Sequence, residues 1–309
     1  MYAIIDLGTN GFRLQIAKAN EKARTFETIF KENVELQLAS GEIEKIAAEP
    51  FQRGLEVMRQ FKAKVKEYPI DSIRALGTAA LRTATNGKAF IKQVKKETGI
   101  AIQLISGKRE AELIYKGMGA AYPIEAGKKR LMVDVGGGSV EFIIANHEKM
   151  LWSESFPVGV AILKKSFHHS NPITTSEISK IQGFLDSRLK PVINALKHYP
   201  VDEVSIASGT MDVLCSIINS ALFQSYPYFL LARSMFGMYS DKMIPSPLTQ
   251  LKDYAGMPTE KVDMFQVGLI LEQYILQMAP VQTDIIVSRY SMKRGALMEM
   301  AFEKVNTPN

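Results

Sequence analysis

The sequence has little cysteine and no long apolar segment. Cys215 is the single cysteine, so no internal disulfide can form, and the apolar residues around it in 211–218 predict a buried thiol. No apolar run reaches the roughly 20 residues that a membrane helix needs, and residues 1–5 lack the basic start of a signal peptide. We therefore expect a cytoplasmic protein without a membrane partner.

Several common functional motifs are also absent. The sequence contains no G-x-x-x-x-G-K-[ST], G-x-G-x-x-G, G-x-S-x-G or H-E-x-x-H pattern, which excludes a P-loop, a dinucleotide fingerprint, a serine-hydrolase elbow and a zinc-hydrolase site of these kinds. The net charge of +6 favours an anionic partner. Because no helix-turn-helix, RNP or zinc-knuckle signature accompanies this charge, we do not expect nucleic acid as that partner.

An internal repeat is the strongest positive feature. Residues 5–17 align without gaps on residues 133–145, at a constant offset of 134 − 6 = 128. Each copy has an apolar strand, an Asp-x-Gly turn and a second strand in which apolar side chains alternate: Phe12, Leu14 and Ile16 in the first copy, and Val140, Phe142 and Ile144 in the second. The pattern predicts two hairpins with glycine-rich tips.

The two tips offer the groups that a phosphate site needs. Glycine allows backbone N–H groups to approach a phosphate closely, and an aspartate beside it can hold a hydrated Mg²⁺. The alternative is that both tips are ordinary turns. Two repeated α/β halves of this kind resemble the actin-like ATPase and sugar kinase architecture. The expected fold class is therefore α/β, with two actin-like (ribonuclease H-like) ATPase-superfamily domains around an interdomain cleft.

Five motifs in a fixed order narrow this resemblance. They are Ile5-Asp6-Leu7-Gly8-Thr9-Asn10 with Arg13-Leu14; Thr78-Ala79-Ala80-Leu81-Arg82; Ile105-Ser106-Gly107 followed by Glu110-Ala111; Asp134-Val135-Gly136-Gly137-Gly138-Ser139 with Glu141; and Ser208-Gly209-Thr210. The series resembles the exopolyphosphatase and guanosine pentaphosphate phosphohydrolase (Ppx/GppA) family, in its short two-domain form. It runs from the first strand to Gly295, nearly the whole chain.

The resemblance implies a role for each matching residue. Glu110 matches the catalytic base that polarises the attacking water, and Arg82 a catalytic guanidinium near the substrate. Asp134 and Glu141 match carboxylates around the lytic water and the metal, and Asp6, the counterpart of Asp134 in the first repeat, is implied as a third metal carboxylate. The metal expected is Mg²⁺, with Mn²⁺ as the alternative. The implied phosphate-binding residues are Gly8, Thr9, Asn10, Arg13, Gly136, Gly137, Gly138, Ser139, Ser208, Gly209 and Thr210.

Each of these residues also has an ordinary structural interpretation. A carboxylate such as Glu110 is common in the first turn of a helix, although it does not fit a capping box, because Ser106 as N-cap would place Arg109 at N3. Asp6 and Asp134 could stabilise turns, Glu141 could be an exposed strand residue, and both arginines could form surface salt bridges. The functional interpretation is favoured because phosphoryl transfer depends on charge neutralisation.

The sequence departs from the family pattern at several positions. Glu35 and Ile162 stand where arginine is usual, Gly11 where a small polar residue is usual, and Arg109 where an acidic residue precedes the base. Residues 291–295, Ser-Met-Lys-Arg-Gly, replace Gly-Leu-Arg-Glu-Gly. None of these changes removes the expected base or a metal carboxylate. They leave the choice of substrate and the rate open.

The expected organisation is a first domain over residues 1–124, completed by a C-terminal helix at about 291–309, and a second domain over 125–290. The resemblance implies removal of terminal orthophosphate from inorganic polyphosphate by water. Three alternatives stay open: phosphate removal from guanosine pentaphosphate, a kinase of the same superfamily, and a polyphosphate-binding protein with weakened catalysis. A homodimer is expected by analogy with the family.

Overall fold

The structure is a computed structural model that describes residues 1–36, 38 and 45–303. The chain divides into two compact units, one formed by Met1–Gly117 with Met292–Asn309 and the other by Met118–Ser291. None of the helices in the described part of the chain is both long and apolar enough to cross a membrane.

The first unit contains a five-stranded mixed sheet. Its strands are β1 (Tyr2–Leu7), β2 (Gly11–Asn20), β3 (Thr25–Glu35), β4 (Ser72–Gly77) and β5 (Ile102–Leu104), in the order β3-β2-β1-β4-β5. β1 pairs antiparallel with β2, with Asp6 opposite Arg13, and parallel with β4. The first predicted hairpin is therefore confirmed, and Phe12, Leu14 and Ile16 are buried together as the alternation predicts.

The helices of the first unit follow from apolar side chains at helical spacing. They are α1 (Ala48–Val65), α2 (Ala79–Thr83), α3 (Gly87–Thr98) and α4 (Gly107–Ala121). α1 buries Leu55, Met58 and Phe61, which recur at helical spacing, against the same core as the inner side chains of β2. The boundary between the units lies between Gly117 and Met118, inside α4, which continues without a break to Ala121. The boundary expected from the sequence lies further along the chain, after residue 124.

The second unit repeats this sheet with one addition. Its strands are β6 (Arg130–Val135), β7 (Val140–Ala145), β8 (Met150–Phe156), β9 (Glu203–Ser208), β10 (Tyr228–Leu231) and β11 (Ile285–Ser288), in the order β10-β11-β9-β6-β7-β8. β6 pairs antiparallel with β7 and parallel with β9, as β1 does with β2 and β4. Both units thus have the strand order of the actin-like class, which confirms the predicted α/β, actin-like fold of each domain.

The remaining helices complete the chain. They are α5 (Val160–Phe167), α6 (Thr175–Arg188), α7 (Lys190–His198), α8 (Gly209–Ser225), α9 (Arg233–Met243), α10 (Leu248–Lys252), α11 (Val262–Met278) and α12 (Met292–Phe302). Thr174 and Glu177 form a capping box at the start of α6. The chain leaves helical geometry at Leu189 and restarts as α7, with Pro191 in its first turn.

The last helix belongs to the first unit. α12 packs against β1, and Gly295 allows the approach of α4, since a Cβ at this position would lie 2.0 Å from the carbonyl oxygen of Leu113. Glu299 on α12 accepts hydrogen bonds from Arg74, Arg109 and Lys116. Burial opposes ionisation of Glu299, but the bonds from Lys116 and Arg109 outweigh it and lower its pKa.

A buried ion pair anchors the first strand of the second unit. The Arg130 side chain is fully buried and donates from Nε and Nη2 to Glu203 at 3.0 and 2.6 Å. Its Nη1 and Nη2 also donate to the carbonyl oxygens of Tyr122 and Pro123. Glu203 accepts one further hydrogen bond, from the half-exposed Lys128. Arg130 therefore ties β6, β9 and the segment after α4 together.

This anchor leads to a stability prediction. Arg130→Met leaves the buried Glu203 carboxylate without its main partner and should lower the free energy of unfolding by about 3 kcal/mol. Lys128→Met removes a more exposed partner of the same carboxylate and should lower the free energy of unfolding much less. Urea unfolding followed by the fluorescence of Trp152, the single tryptophan, measures both. An equal decrease in the free energy of unfolding in the two variants would contradict the role of Arg130 as the main partner of Glu203.

Candidate functional site

The glycine tip of the second hairpin has its carbonyl groups fixed on one side. Three amides at the start of α5 donate to the three tip carbonyls: Val160 to Gly136 at 3.0 Å, Ala161 to Gly137 at 2.9 Å and Gly159 to Gly138 at 3.4 Å. In a planar trans peptide the carbonyl of one residue and the N–H of the next point in opposite directions. The N–H groups of Gly137, Gly138 and Ser139 therefore point away from α5.

Gly159 makes this arrangement possible. A Cβ on Gly159 would lie 2.4 Å from the carbonyl carbon and oxygen of Gly137 and 2.6 Å from the nitrogen of Gly138. Within the described part of the chain, the N–H groups of Gly137, Gly138 and Ser139 donate to no backbone acceptor. Successive backbone N–H groups on one side of a turn form an anion-binding concavity. The tip is thus suited to bind phosphate oxygens.

The tip of the first hairpin is built on the same principle. The amide of Leu38 donates to the Thr9 carbonyl at 2.9 Å and that of Leu36 to the Asn10 carbonyl at 2.8 Å. The N–H groups that follow these carbonyls in the chain point to the opposite side. Gly8 closes the turn by donating to the Gly11 carbonyl at 3.1 Å.

Asp6 and Arg13 lie beside this first tip. Arg13 donates from Nη1 to Asp6 Oδ2 at 3.3 Å, and the Cβ position of Gly8 is 3.5 Å from that Nη1. The structure therefore brings together Asp6, Gly8 and Arg13. The buried Asp6 carboxylate partly neutralises the guanidinium that the sequence assigns to phosphate binding.

Glu110 lies at the start of α4 and is buried. Ser106 caps this helix: its Oγ accepts the Arg109 N–H at 3.1 Å, so Arg109 is at N3 as the sequence indicates. Arg82, on α2, donates from Nη1 to Glu110 Oε2 at 3.4 Å and to the Ile105 carbonyl at 2.7 Å. The helix N-terminus and the guanidinium both favour a negative charge on Glu110, the form in which a carboxylate can accept a proton.

Asp134 and Glu141 form a cross-strand pair. They lie directly opposite each other on β6 and β7. Ser155 donates to Glu141 Oε1 at 2.7 Å, and Ser291 donates to Asp134 Oδ2. Glu141 is 3% exposed, which contradicts the alternative of an exposed strand residue. The reason is that every residue of β7 is buried, so its polar face is covered as well.

The Ser-Gly-Thr turn (Ser208, Gly209, Thr210) is the direct junction of β9 and α8: Ser208 ends the strand, and Gly209 and Thr210 begin the helix. The Ser208 Oγ accepts the Met211 N–H at 2.8 Å and so caps α8. Thr210 is buried against α11, where a Cβ on Gly268 would be 2.0 Å from its Oγ1. A helix N-terminus offers N–H groups and a positive dipole end to an anion.

Two residues at this turn are not among those assigned from the sequence. Lys261 places its Nζ 3.7 Å from the Cβ position of Gly209. Glu272, on α11, accepts a hydrogen bond from Ser208 Oγ. The only sequence signal for Glu272 is a single charge inside the apolar run 264–278, and none points to Lys261.

Comparison with known proteins identifies the family of this chain. The model of the Ppx/GppA phosphatase family matches residues 16–304. The chain belongs to the Ppx/GppA phosphatase family. A guanosine-5'-triphosphate,3'-diphosphate pyrophosphatase from Vibrio parahaemolyticus is 26% identical over 303 residues, which are 98% of this chain and 60% of that protein. The chain thus spans about three fifths of the length of this curated relative.

Solved structures of the family are similar over the whole chain. An exopolyphosphatase from Cytophaga hutchinsonii is 31% identical with a TM-score of 0.90, and the match covers 97% of each chain. A Ppx/GppA family member from Aquifex aeolicus is 21% identical with a TM-score of 0.81 over 99% of each chain. The second similarity is one of fold.

The structure gives physical reasons for three departures from the Ppx/GppA pattern. Gly11 is required because a Cβ there would lie 2.3 Å from the Val34 carbonyl oxygen. Arg109 donates hydrogen bonds to Glu112 and Glu299, so carboxylates of the first unit neutralise its charge. Ser291 supplies the hydroxyl that donates to Asp134. Nothing in the structure explains Glu35 or Ile162.

The carboxylates of the second hairpin fit a Mg²⁺ ion. Asp134 and Glu141 offer oxygen atoms, the ligand type that Mg²⁺ prefers, and Asp134 is half-buried beside the glycine tip. No group of three or more His, Cys, Asp or Glu side chains that could hold a metal occurs among the residues that the structure describes. In proteins, Mg²⁺ is usually held by one or two carboxylates and takes its other ligands from water and phosphate.

The close approach at Gly159 yields a binding prediction. Gly159→Ala should push α5 away, release the tip carbonyls and weaken binding of inorganic tripolyphosphate by about tenfold or more, the effect of losing one charge-assisted hydrogen bond. Gly183→Ala is the matched control, because Gly183 lies on an exposed part of α6 with no atom within 4 Å of its Cβ position. The control should bind normally. Calorimetry measures both, and normal binding by Gly159→Ala would contradict the role of the tip.

Proposed function

We propose that the chain is an exopolyphosphatase, which hydrolyses the terminal phosphoanhydride bond of inorganic polyphosphate and releases orthophosphate. The observation that carries the proposal is the position of Glu110: a buried carboxylate at the start of α4, held by Arg82. A carboxylate in this state can take a proton from water, and the orientation of the amides in the glycine tips supports binding of a polyphosphate.

The roles follow from the chemistry of phosphoryl transfer. Water attacks the terminal phosphorus as Glu110 accepts its proton, the phosphoanhydride bond breaks, and the shortened chain leaves with the bridging oxygen. Charge spreads over the phosphoryl oxygens in the transition state, so Arg82 can stabilise it. Amides of the two tips and of the Ser-Gly-Thr turn would bind phosphates, with Lys261 as a further cation. A Mg²⁺ ion held by Asp134 and Glu141 would neutralise further charge on the phosphates.

Two candidate substrates have support. The whole-length similarity to the Cytophaga exopolyphosphatase, at 31% identity, favours polyphosphate. Guanosine pentaphosphate is the second candidate, because the Vibrio relative, three fifths of which this chain spans, is a pyrophosphatase of that compound. Side-by-side assays with long-chain polyphosphate and guanosine pentaphosphate separate them: we expect the larger kcat/KM for polyphosphate, and the opposite order would select the second candidate.

The role of Glu110 is tested by substitution. Glu110→Gln should lower orthophosphate release from long-chain polyphosphate by ~10²-fold or more, the range expected for losing a general base. Glu112→Gln is the matched control, since Glu112 lies on the same helix in a partly exposed pair with Arg109 and should keep activity to within about twofold. Equal activity of wild type and Glu110→Gln would remove this residue from its role.

Dependence on a metal is a separate prediction. Removing divalent cations with a chelator should abolish orthophosphate release, and Mg²⁺ or Mn²⁺ should restore it. Asp134→Asn should raise the Mg²⁺ concentration for half-maximal activity by about tenfold or more, because one charged ligand is lost. Titrations of Mg²⁺ at saturating polyphosphate measure this. Full activity of the wild type in the chelator would refute the Mg²⁺ proposal.

A further inference from the structure

Glu272 is a buried carboxyl group that no step above uses. It lies on α11 with no exposed surface, and its Oε1 accepts the hydrogen bond from Ser208 Oγ. Ser208 Oγ in turn accepts the Met211 N–H, so the carboxyl is one hydrogen bond away from the capped start of α8. In the described part of the chain, Glu272 Oε2 has no hydrogen-bond partner. The group thus lies directly behind the Ser-Gly-Thr turn.

The surroundings of Glu272 favour its neutral form. Burial raises the pKa of Glu272 from its usual 4.5 to about 8; the hydrogen bond from Ser208 opposes the shift, the charge of Asp212 adds to it, and the Met211 amide opposes it. Asp212 and the Cys215 thiol are the titratable groups that α8 directs at it. α5, α9, α10 and the short 3-10 helix Thr259–Lys261 also pack against α11, and their described side chains, Glu260 and Lys261 included, contribute no charge to the shift.

A negative charge on Glu272 would act on the same turn as a bound phosphate. The turn attracts anions through the N–H groups and dipole of α8, helped by Lys261 beside Gly209. An ionised carboxylate one hydrogen bond behind these groups would repel the phosphate in a medium of low dielectric constant. A protonated carboxyl keeps the hydrogen bond to Ser208 without this repulsion.

We propose that Glu272 is a positioning residue that adjusts the phosphate affinity of the Ser-Gly-Thr turn: its protonated form supports binding and its ionised form opposes binding. The proposal rests on the function proposed above only in taking phosphate as the ligand of this turn. Coupling is reciprocal, so a phosphate bound at the turn also makes Glu272 harder to ionise.

Binding of inorganic tripolyphosphate tests the proposal without turnover. Calorimetry in the presence of Mg²⁺ between pH 6.5 and pH 9.5 should show a Kd for the wild type that rises by about tenfold through a midpoint near pH 8, where Glu272 ionises. Glu272→Gln keeps the shape and the hydrogen bond but does not titrate. It should lack this rise and bind at pH 9.5 as tightly as the wild type binds at pH 6.5.

Two further variants identify the titrating group. Asp212→Asn removes the charge that raises the Glu272 pKa, so the midpoint should move to lower pH. Cys215→Ala removes the other titratable group on α8 and should leave the midpoint unchanged. The same rise in Kd in Glu272→Gln as in the wild type, no pH dependence in the wild type, or no tripolyphosphate binding by either protein would each overturn the proposal.

Thermal unfolding gives a readout that is independent of any ligand. A carboxyl whose pKa is higher in the folded state than in the unfolded state costs stability as pH rises from about 4.5 to about 8, because the unfolded chain releases the proton first. The Tm of the wild type should therefore fall relative to that of Glu272→Gln over this window. Parallel Tm curves would contradict a titrating Glu272. Normal pH-dependent binding with no orthophosphate release would instead reject the hydrolase function and leave the role of Glu272 in place.

Discussion

Hydrogen bonds from the first turn of α5 to the carbonyl groups of residues 136–138 fix the direction of the peptide groups in the second hairpin tip. Because each peptide is planar, fixing the carbonyl on one side also fixes the following N–H on the other. The N–H groups of the tip are therefore oriented before an anion binds, and binding would cost little conformational entropy. The first hairpin has the same design with the segment after β3 in place of a helix.

Each candidate carboxylate has a polar partner that holds its side chain. Arg82 holds Glu110, Arg13 holds Asp6, and serine hydroxyls hold both Asp134 and Glu141. Such support limits the rotamers of charged side chains and compensates part of their desolvation. In the Ser-Gly-Thr turn the support runs in the other direction, since the buried Glu272 is held by the residue that caps α8. A single hydroxyl thus serves both the helix start and an ionisable group.

The sequence predicts those features that repeat or that lie close together along the chain. The 128-residue repeat, 134 − 6, predicts both hairpins, and Ser106 as N-cap predicts the N3 position of Arg109. The sequence does not predict contacts between segments that lie far apart in the chain. Glu272 and Ser208 lie 64 positions apart, and the covered polar face of β7 depends on elements that alternation within one strand cannot reveal.

The first unit is assembled from both halves of the chain, because α12 packs against β1 while the whole second unit lies between them in sequence. On the ribosome, β1 to α4 emerge well before α12. β1 can therefore pack against α12 only after the residues of the second unit have been synthesised. The second unit is continuous and can fold during this interval. Translation order therefore makes the unit that contains Glu110 the last to be completed, after the glycine tip and carboxylates of the second hairpin are in place.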